Sequence, residues 1–259
     1  MLNVFLPFTN TFLLCRFFLA WLIPQLLQKS QNIVKRIVKE RVFSRFILRN
    51  HVLSSQVNQK VVAFTFDDGP SPLTTHQLVD LFAEFQGKAS FFFQGNNAED
   101  HPEIVRYAFC SGGDIANHSY NHPHYDKVGA REMVRQIART NAILKNITGV
   151  QPAFLRPPGH RFTQWQAFVI WARFHQLIVE ANLAPMDWKH PDAESLSQFI
   201  VENVQPGTIV CLHDASPITV KALERVLPIL SADGYKFLSL SELKAMGKFS
   251  PYRRMLVKY

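Results

Sequence analysis

Along this chain the spacing of apolar residues changes character in three zones. Residues 4–27 are mostly apolar, interrupted by Pro7, Thr9, Asn10, Thr11, Arg16 and Pro24. Residues 32–50 put Ile33, Ile37, Val42 and Phe46 at helical spacing, with Lys35, Arg36, Lys39, Arg41, Arg45 and Arg49 filling much of the rest. That pattern predicts a basic amphipathic helix. From Val61 onward, short β-rich runs alternate with helical ones.

In this third zone the pattern predicts strands over 61–66, 89–94, 114–117, 153–155, 177–181, 208–212 and 237–238. Between them it predicts helices over 74–85, 102–110, 130–148, 162–174, 193–203 and 219–233. Strands alternating with helices imply an α/β fold with a parallel sheet, either open and doubly wound or closed into a barrel. The division expected is an apolar then basic segment over 1–57, a catalytic domain over 58–247 and a basic tail over 248–259. Every polar constellation follows the C-terminal end of a predicted strand, the edge where parallel α/β folds gather catalytic groups.

Composition sharpens this picture in one respect. The chain of 259 residues is 47% apolar with 22 Phe, ample for a buried core, and its formal net charge is +8. Residues 1–60 hold nine Lys/Arg and one acidic residue, Glu40, so the rest of the chain is balanced. The charge distribution argues against a nucleic-acid-binding core, because the basicity belongs to the N-terminal segment alone. That segment suits an anionic membrane surface, reached through residues 1–50. Its apolar part is long enough to span a bilayer, although Arg16 near its middle would cost a few kcal/mol there. No basic region precedes it and no small-residue cleavage site follows, which argues against a cleaved signal peptide. The alternative is a pair of helices packed over the catalytic domain. The expected location is at the membrane, facing the cell envelope; a spanning segment with a positive flank after it would instead favour the cytoplasmic face. Cys15, Cys110 and Cys211 are far apart and lack CxxC spacing, so buried thiols are the expectation. Nothing here fixes an oligomeric state.

The chemistry concentrates at five places. Asp67 and Asp68 end the 61–66 run just before Gly69-Pro70, and His118 and His122 follow the 114–117 run at a spacing suited to a helix or a tight loop. One carboxylate and two imidazoles form a ligand set for a catalytic divalent ion with an open position, zinc being the expected ion. The second carboxylate is then left over as a base. Arg156 precedes two prolines and is suited to gripping a carboxylate. His213-Asp214 leaves a buried strand where an imidazole could protonate a leaving amine. Asp187-Trp188 adds a carboxylate and a flat apolar surface.

The motifs Thr65-Phe-Asp-Asp-Gly-Pro70, His118-Ser-Tyr-Asn-His122, Arg156-Pro-Pro-Gly159, Asp187-Trp188 and Leu212-His-Asp214 occur in that order. Over about residues 58–243 the chain thereby resembles the polysaccharide deacetylases, the NodB-like domains of carbohydrate esterase family 4. The first two motifs carry most of the specificity. The resemblance implies a distorted (β/α) barrel of about seven units and hydrolysis of N-acetyl, sometimes O-acetyl, groups on a glycan. It implies that Asp68, His118 and His122 hold the metal, Asp67 is the general base and His213 the general acid. Arg156 would orient Asp67, and Asp187 would support the polar shell. Gly159, Trp188 and Leu212 would contact the oxyanion or the substrate. The chain departs from the family at Gly159, where Tyr is frequent, at Ala181 and Ala184, where many members have Trp and Asp, and at Cys211, where Leu is common and which is still apolar enough to touch an acetyl methyl. A glycan-binding module with little turnover, or a hydrolase of another amide or ester, would fit the same scaffold. Retention of both Asp67 and His213 favours the enzyme, since binding needs neither.

Overall fold

The computed structural model describes residues 52–55, 57–246 and 249–250, the first and last of these as backbone only. The segments expected over residues 1–50, and the tail beyond residue 250, lie outside the described residues. Among the described residues no helix is long and apolar enough to cross a membrane.

The strands are β1 Val52–Ser55, β2 Val61–Asp67, β3 Ser90–Phe93, β4 Asp114–Asn117, β5 Phe154–Leu155, β6 Leu177–Val179, β7 Thr208–His213, β8 Lys236–Phe237 and β9 Phe249–Ser250. The helices are α1 Thr75–Glu84, α2 Gly95–Asp100, α3 Pro102–Cys110, α4 Ala130–Thr148, α5 Gln164–Phe174, α6 Ala193–Asn203, α7 Pro217–Ala232 and α8 Leu240–Ala245. The sheet runs β7-β2-β3-β4-β5-β6-β1-β9, with β8 beside the start of β2. All these pairings are parallel except β1 with β9. Beyond β6 the chain reaches back to β7 through a parallel bridge between Leu183 and Val210. The result is a curled sheet with helices outside it, the distorted (β/α) barrel that the resemblance implies and one of the two arrangements the strand–helix alternation left open.

Strand alternation decides which side chains face the barrel interior. Along β2, Val62, Phe64 and Phe66 join the outer layer with Phe91 and Phe93 and pack beneath the helices. Val61 and Ala63 face inward with Phe92, Ala116 and Ile209. The inward series continues through Thr65 to Asp67, so a carboxylate arrives at the C-terminal mouth of the barrel. Both faces of β2 are buried, which is why its sequence reads as a continuous apolar run and not as an alternation.

Four elements were not anticipated: β1, β9, α2 and α8. The first two and α2 are too short to show a period. For α8 a signal was present, since Ser239 and Glu242 form a capping box at its start.

Candidate active site

The mouth of the barrel forms a cavity of about 720 Å³ lined by Asp67, Asp68, His118, His122, Trp188 and His213 among others. That volume lies in the range of small-molecule clefts.

Asp67 and Asp68 are split by one backbone torsion. Asp68 has φ 73°, a left-handed value that Asp tolerates better than most residues. The strand alternation therefore breaks, and both carboxylates reach the same cavity. Asp67 is buried and accepts a hydrogen bond from Arg156 Nη1 at 2.6 Å on Oδ1. Arg156 is itself fully buried, donates from Nη1 to Thr65 Oγ1 at 2.9 Å and from Nε to the Val179 carbonyl at 3.2 Å, and lies over the Phe92 ring. The grip on Asp67 uses one guanidinium nitrogen. Burial alone would raise the Asp67 pKa, but Arg156, with help from His118, His213 and His160, holds the carboxyl well below the usual range.

Asp68 Oδ1 lies 3.5 Å from His118 Nε2 and 3.5 Å from His122 Nε2. His118 is buried, with Nδ1 2.8 Å from the Arg156 carbonyl oxygen. A carbonyl only accepts, so Nδ1 carries the proton and Nε2 presents a lone pair to the cavity. Burial pushes the His118 pKa down, outweighing the nearby carboxylates, and this favours the neutral imidazole a metal ligand needs. Ser119 and His122 have φ 71° and 60°, so the stretch between the two histidines is a loop and not a helical turn. The loop is held from behind: the Asn117 side chain accepts from Ser119 N–H, and Gln136 Oε1 accepts from the N–H groups of Tyr120 and Asn121. A tetrahedral ion with N and O ligands at about 2.0 Å would set ligand atoms about 3.3 Å apart, close to the spacing found. The donor set Asp68, His118 and His122 therefore fits a divalent metal.

Across the cavity, His213 ends β7. Asp187 is buried and receives His213 N–H at 2.9 Å and Thr219 Oγ1–H at 2.7 Å on Oδ2, while its Oδ1 sits 2.7 Å from His213 Nδ1. Nδ1–H thus points at Asp187 and Nε2 faces the cavity. Burial works against the charged ring, but the bond and charge of Asp187, then Asp67 and Asp68, raise the His213 pKa above its ordinary value. Trp188, 61% exposed, stands edge-on to His213 with ring centroids 4.5 Å apart. Asp214 plays a different part: it is buried, accepts from the hydroxyls of Thr74 and Thr75, and ties the end of β7 to the start of α1.

Of the residues expected at the site, Asp67, Asp68, His118, His122, Gly159, Trp188 and His213 line the cavity. Arg156 and Asp187 sit directly behind it. Leu212 does not fit the expected contact with substrate. It is fully buried among Phe66, Val210 and the helices, because residues alternate along β7 and its neighbour Cys211 is the one that turns inward. His160 and Glu180 were not anticipated, although a polar residue directly after Arg156-Pro-Pro-Gly159 at a strand-end loop was the available signal.

The family model for polysaccharide deacetylase matches residues 54–167. The chain is 33% identical over 198 residues to a peptidoglycan-N-acetylglucosamine deacetylase of Bacillus cereus, covering 74% of this chain and 71% of that protein. It is 28% identical over 191 residues to the peptidoglycan-N-acetylmuramic acid deacetylase PdaC of Bacillus subtilis, 74% of this chain but 40% of that longer protein. A solved structure of the Bc1960 peptidoglycan N-acetylglucosamine deacetylase superposes with a TM-score of 0.72 at 31% identity, over 79% of this chain and 96% of that one.

Proposed function

The chain belongs to the polysaccharide deacetylases, and from that premise we propose that it is a metal-dependent hydrolase that releases acetate from N-acetylated sugars of a glycan. The observation that carries this reading is the division of the acidic pair. Asp68 Oδ1 stands 3.5 Å from each of two histidine nitrogens, while Asp67 is gripped by Arg156 at 2.6 Å and keeps its other oxygen 3.9 Å from His118 Nε2, farther than Asp68 stands. A binding module would need only the first half.

Asp68, His118 and His122 would hold the metal, zinc being the ion the donor set suits best. A divalent ion so held supplies carbonyl polarisation and an acidified water. Asp67 takes the proton of the attacking water on Oδ2, the oxygen that Arg156 leaves free. The backbone N–H of Gly159 serves as the donor for the developing oxyanion. His213, kept protonated by Asp187, delivers its Nε2 proton to the departing nitrogen, and acetate leaves without a covalent intermediate. Trp188 offers an exposed face for a sugar ring. Peptidoglycan is the leading substrate class, on the strength of the relatives' activities. The basic N-terminal segment would bring the domain to a membrane surface facing the cell envelope.

The test is acetate release from peptidoglycan, chitooligosaccharides and acetylated xylan, with and without a chelator. Release that the chelator abolishes and zinc restores is expected. Release from none of them by metal-loaded protein would sink the hydrolase reading.

A further inference from the structure

A second group of ligating side chains lies on the other flank of Asp67. His160 has φ 55° and turns its ring into the cavity. Its Nδ1 lies 3.0 Å from Oε2 of Glu180, a buried carboxylate just beyond β6. Its Nε2 faces Cys211 Sγ at 3.8 Å, and that sulfur is 3.5 Å from Asp67 Oδ2. Arg156 Nη1 occupies the opposite oxygen of Asp67 and lies 3.5 Å from the same sulfur, so Oδ2 meets only the Cys211 thiol on this side, with His118 Nε2 3.9 Å away on the other. Ligand atoms of Asp67, His160 and Cys211 all fall within 4.8 Å of one another.

The two edges that meet at the sulfur have the length of those in a coordination polyhedron. A tetrahedral ion with sulfur at about 2.3 Å and nitrogen or oxygen at about 2.0 Å requires sulfur-to-ligand edges of about 3.5 Å, against the 3.5 and 3.8 Å found. The histidine is already oriented from behind by a carboxylate, as metal-bound histidines usually are. The carboxylate behind His160 keeps one buried acceptor, Glu180 Oε1, without a hydrogen-bond partner, so negative capacity remains there that the protein alone does not use. Charge agrees as well. Burial and the Asp67 charge push the free Cys211 thiol up, so the thiolate forms only as the ion binds; Asp67, Glu180 and that thiolate set against Arg156 then leave a balance that one divalent cation neutralises.

We propose that Asp67, His160 and Cys211 form a second, inhibitory cation site that takes thiophilic divalent metals of the zinc, cobalt and cadmium class. The inhibitory part rests on the reading of Asp67 as the base, because an ion on Oδ2 occupies the oxygen that would take the proton. On binding, Cys211 releases its thiol proton to solvent and ligates as thiolate. The sulfur distinguishes this site from the cluster of Asp68, His118 and His122, and hard oxygen-seeking cations such as magnesium are not drawn to it.

The experiment is a cobalt(II) titration of the metal-stripped full-length protein, with bound metal measured by equilibrium dialysis and absorption recorded in parallel. Two equivalents should bind, only one of them bringing a thiolate-to-cobalt charge-transfer band in the near ultraviolet. Acetate release should fall at least tenfold as that band grows. Binding should stop at one equivalent without the band in both Cys211→Ser and His160→Ala. Glu180→Gln should weaken the second equivalent about tenfold while keeping the band. A single equivalent in the unaltered protein, or a band that survives Cys211→Ser, overturns the proposal. Two equivalents with the band, from a protein that releases acetate from no glycan, would keep the second site and overturn the deacetylase reading alone.

Discussion

At the scale of single residues, the left-handed torsion of Asp68 gives two adjacent carboxylates different partners. Different losses should follow from altering each. Asp68→Ala or His118→Ala should remove the equivalent held by Asp68, His118 and His122 in equilibrium dialysis and leave only the thiolate-bound one. Asp67→Asn should keep the metal and lower turnover at least about a hundredfold, the usual worth of a general base; near-full activity would refute the assignment. The adjoining glycine is fixed by a neighbour. A Cβ on Gly69 would lie 2.2 Å from Asp214 Oδ2, and Asp214 is the buried link between β7 and α1. Gly69→Ala must push that carboxylate away from the hydroxyls of Thr74 and Thr75, and a clear fall in thermal midpoint is expected. At His213 the pH dependence has a definite sign. Asp187 helps raise the imidazole pKa, and the ring must be protonated to serve as an acid. Replacing Asp187 by Asn should therefore move the alkaline limb of kcat to lower pH. An unmoved limb would mean that another group is the acid.

At the scale of elements, the ligand loop depends on a helix that contributes no ligand. Gln136 on α4 accepts with one oxygen from the backbone of Tyr120 and Asn121 and from the Ser119 hydroxyl. Gln136→Leu should leave the fold intact and lower metal affinity about tenfold, the usual cost of losing a partner behind the ligands. Isothermal titration would read it, and unchanged affinity would show that the loop holds its own shape. Much of this level was legible in the sequence. The helices over 102–110, 130–148 and 193–203 were anticipated to the residue, because each carries a clear period and an end signal. The site residues were legible because strand ends are punctuated by polar motifs, whereas Glu180 and His160 form a pair only through the curvature of the sheet. The misplaced Leu212 was avoidable. The period of two counted back from His213 puts Cys211, also read as a contact for the acetyl methyl, on the cavity side and turns Leu212 into the core.

At the scale of the whole molecule, Arg156 and Asp67 join β5 to β2 across the barrel interior. The pair is fully removed from water, so it matters less as net attraction than as mutual cover for two buried charges. Arg156→Leu should destabilise the protein by about 3–5 kcal/mol at pH 7, the usual cost of leaving one member uncovered. In the unaltered protein the Asp67 pKa is depressed on folding, so its stabilising share is complete above the unfolded carboxyl pKa near about 4. That share is lost as pH falls below it, when the unfolded chain takes up the proton first. In the variant the carboxylate keeps its burial and loses its main counter-charge, so its pKa rises and protonation relieves the folded state. The gap between the two thermal midpoints should therefore narrow from pH 7 to pH 4. A gap that stays constant would mean that Arg156 supports the barrel through Val179, Thr65 and Phe92, and not by covering the charge of Asp67.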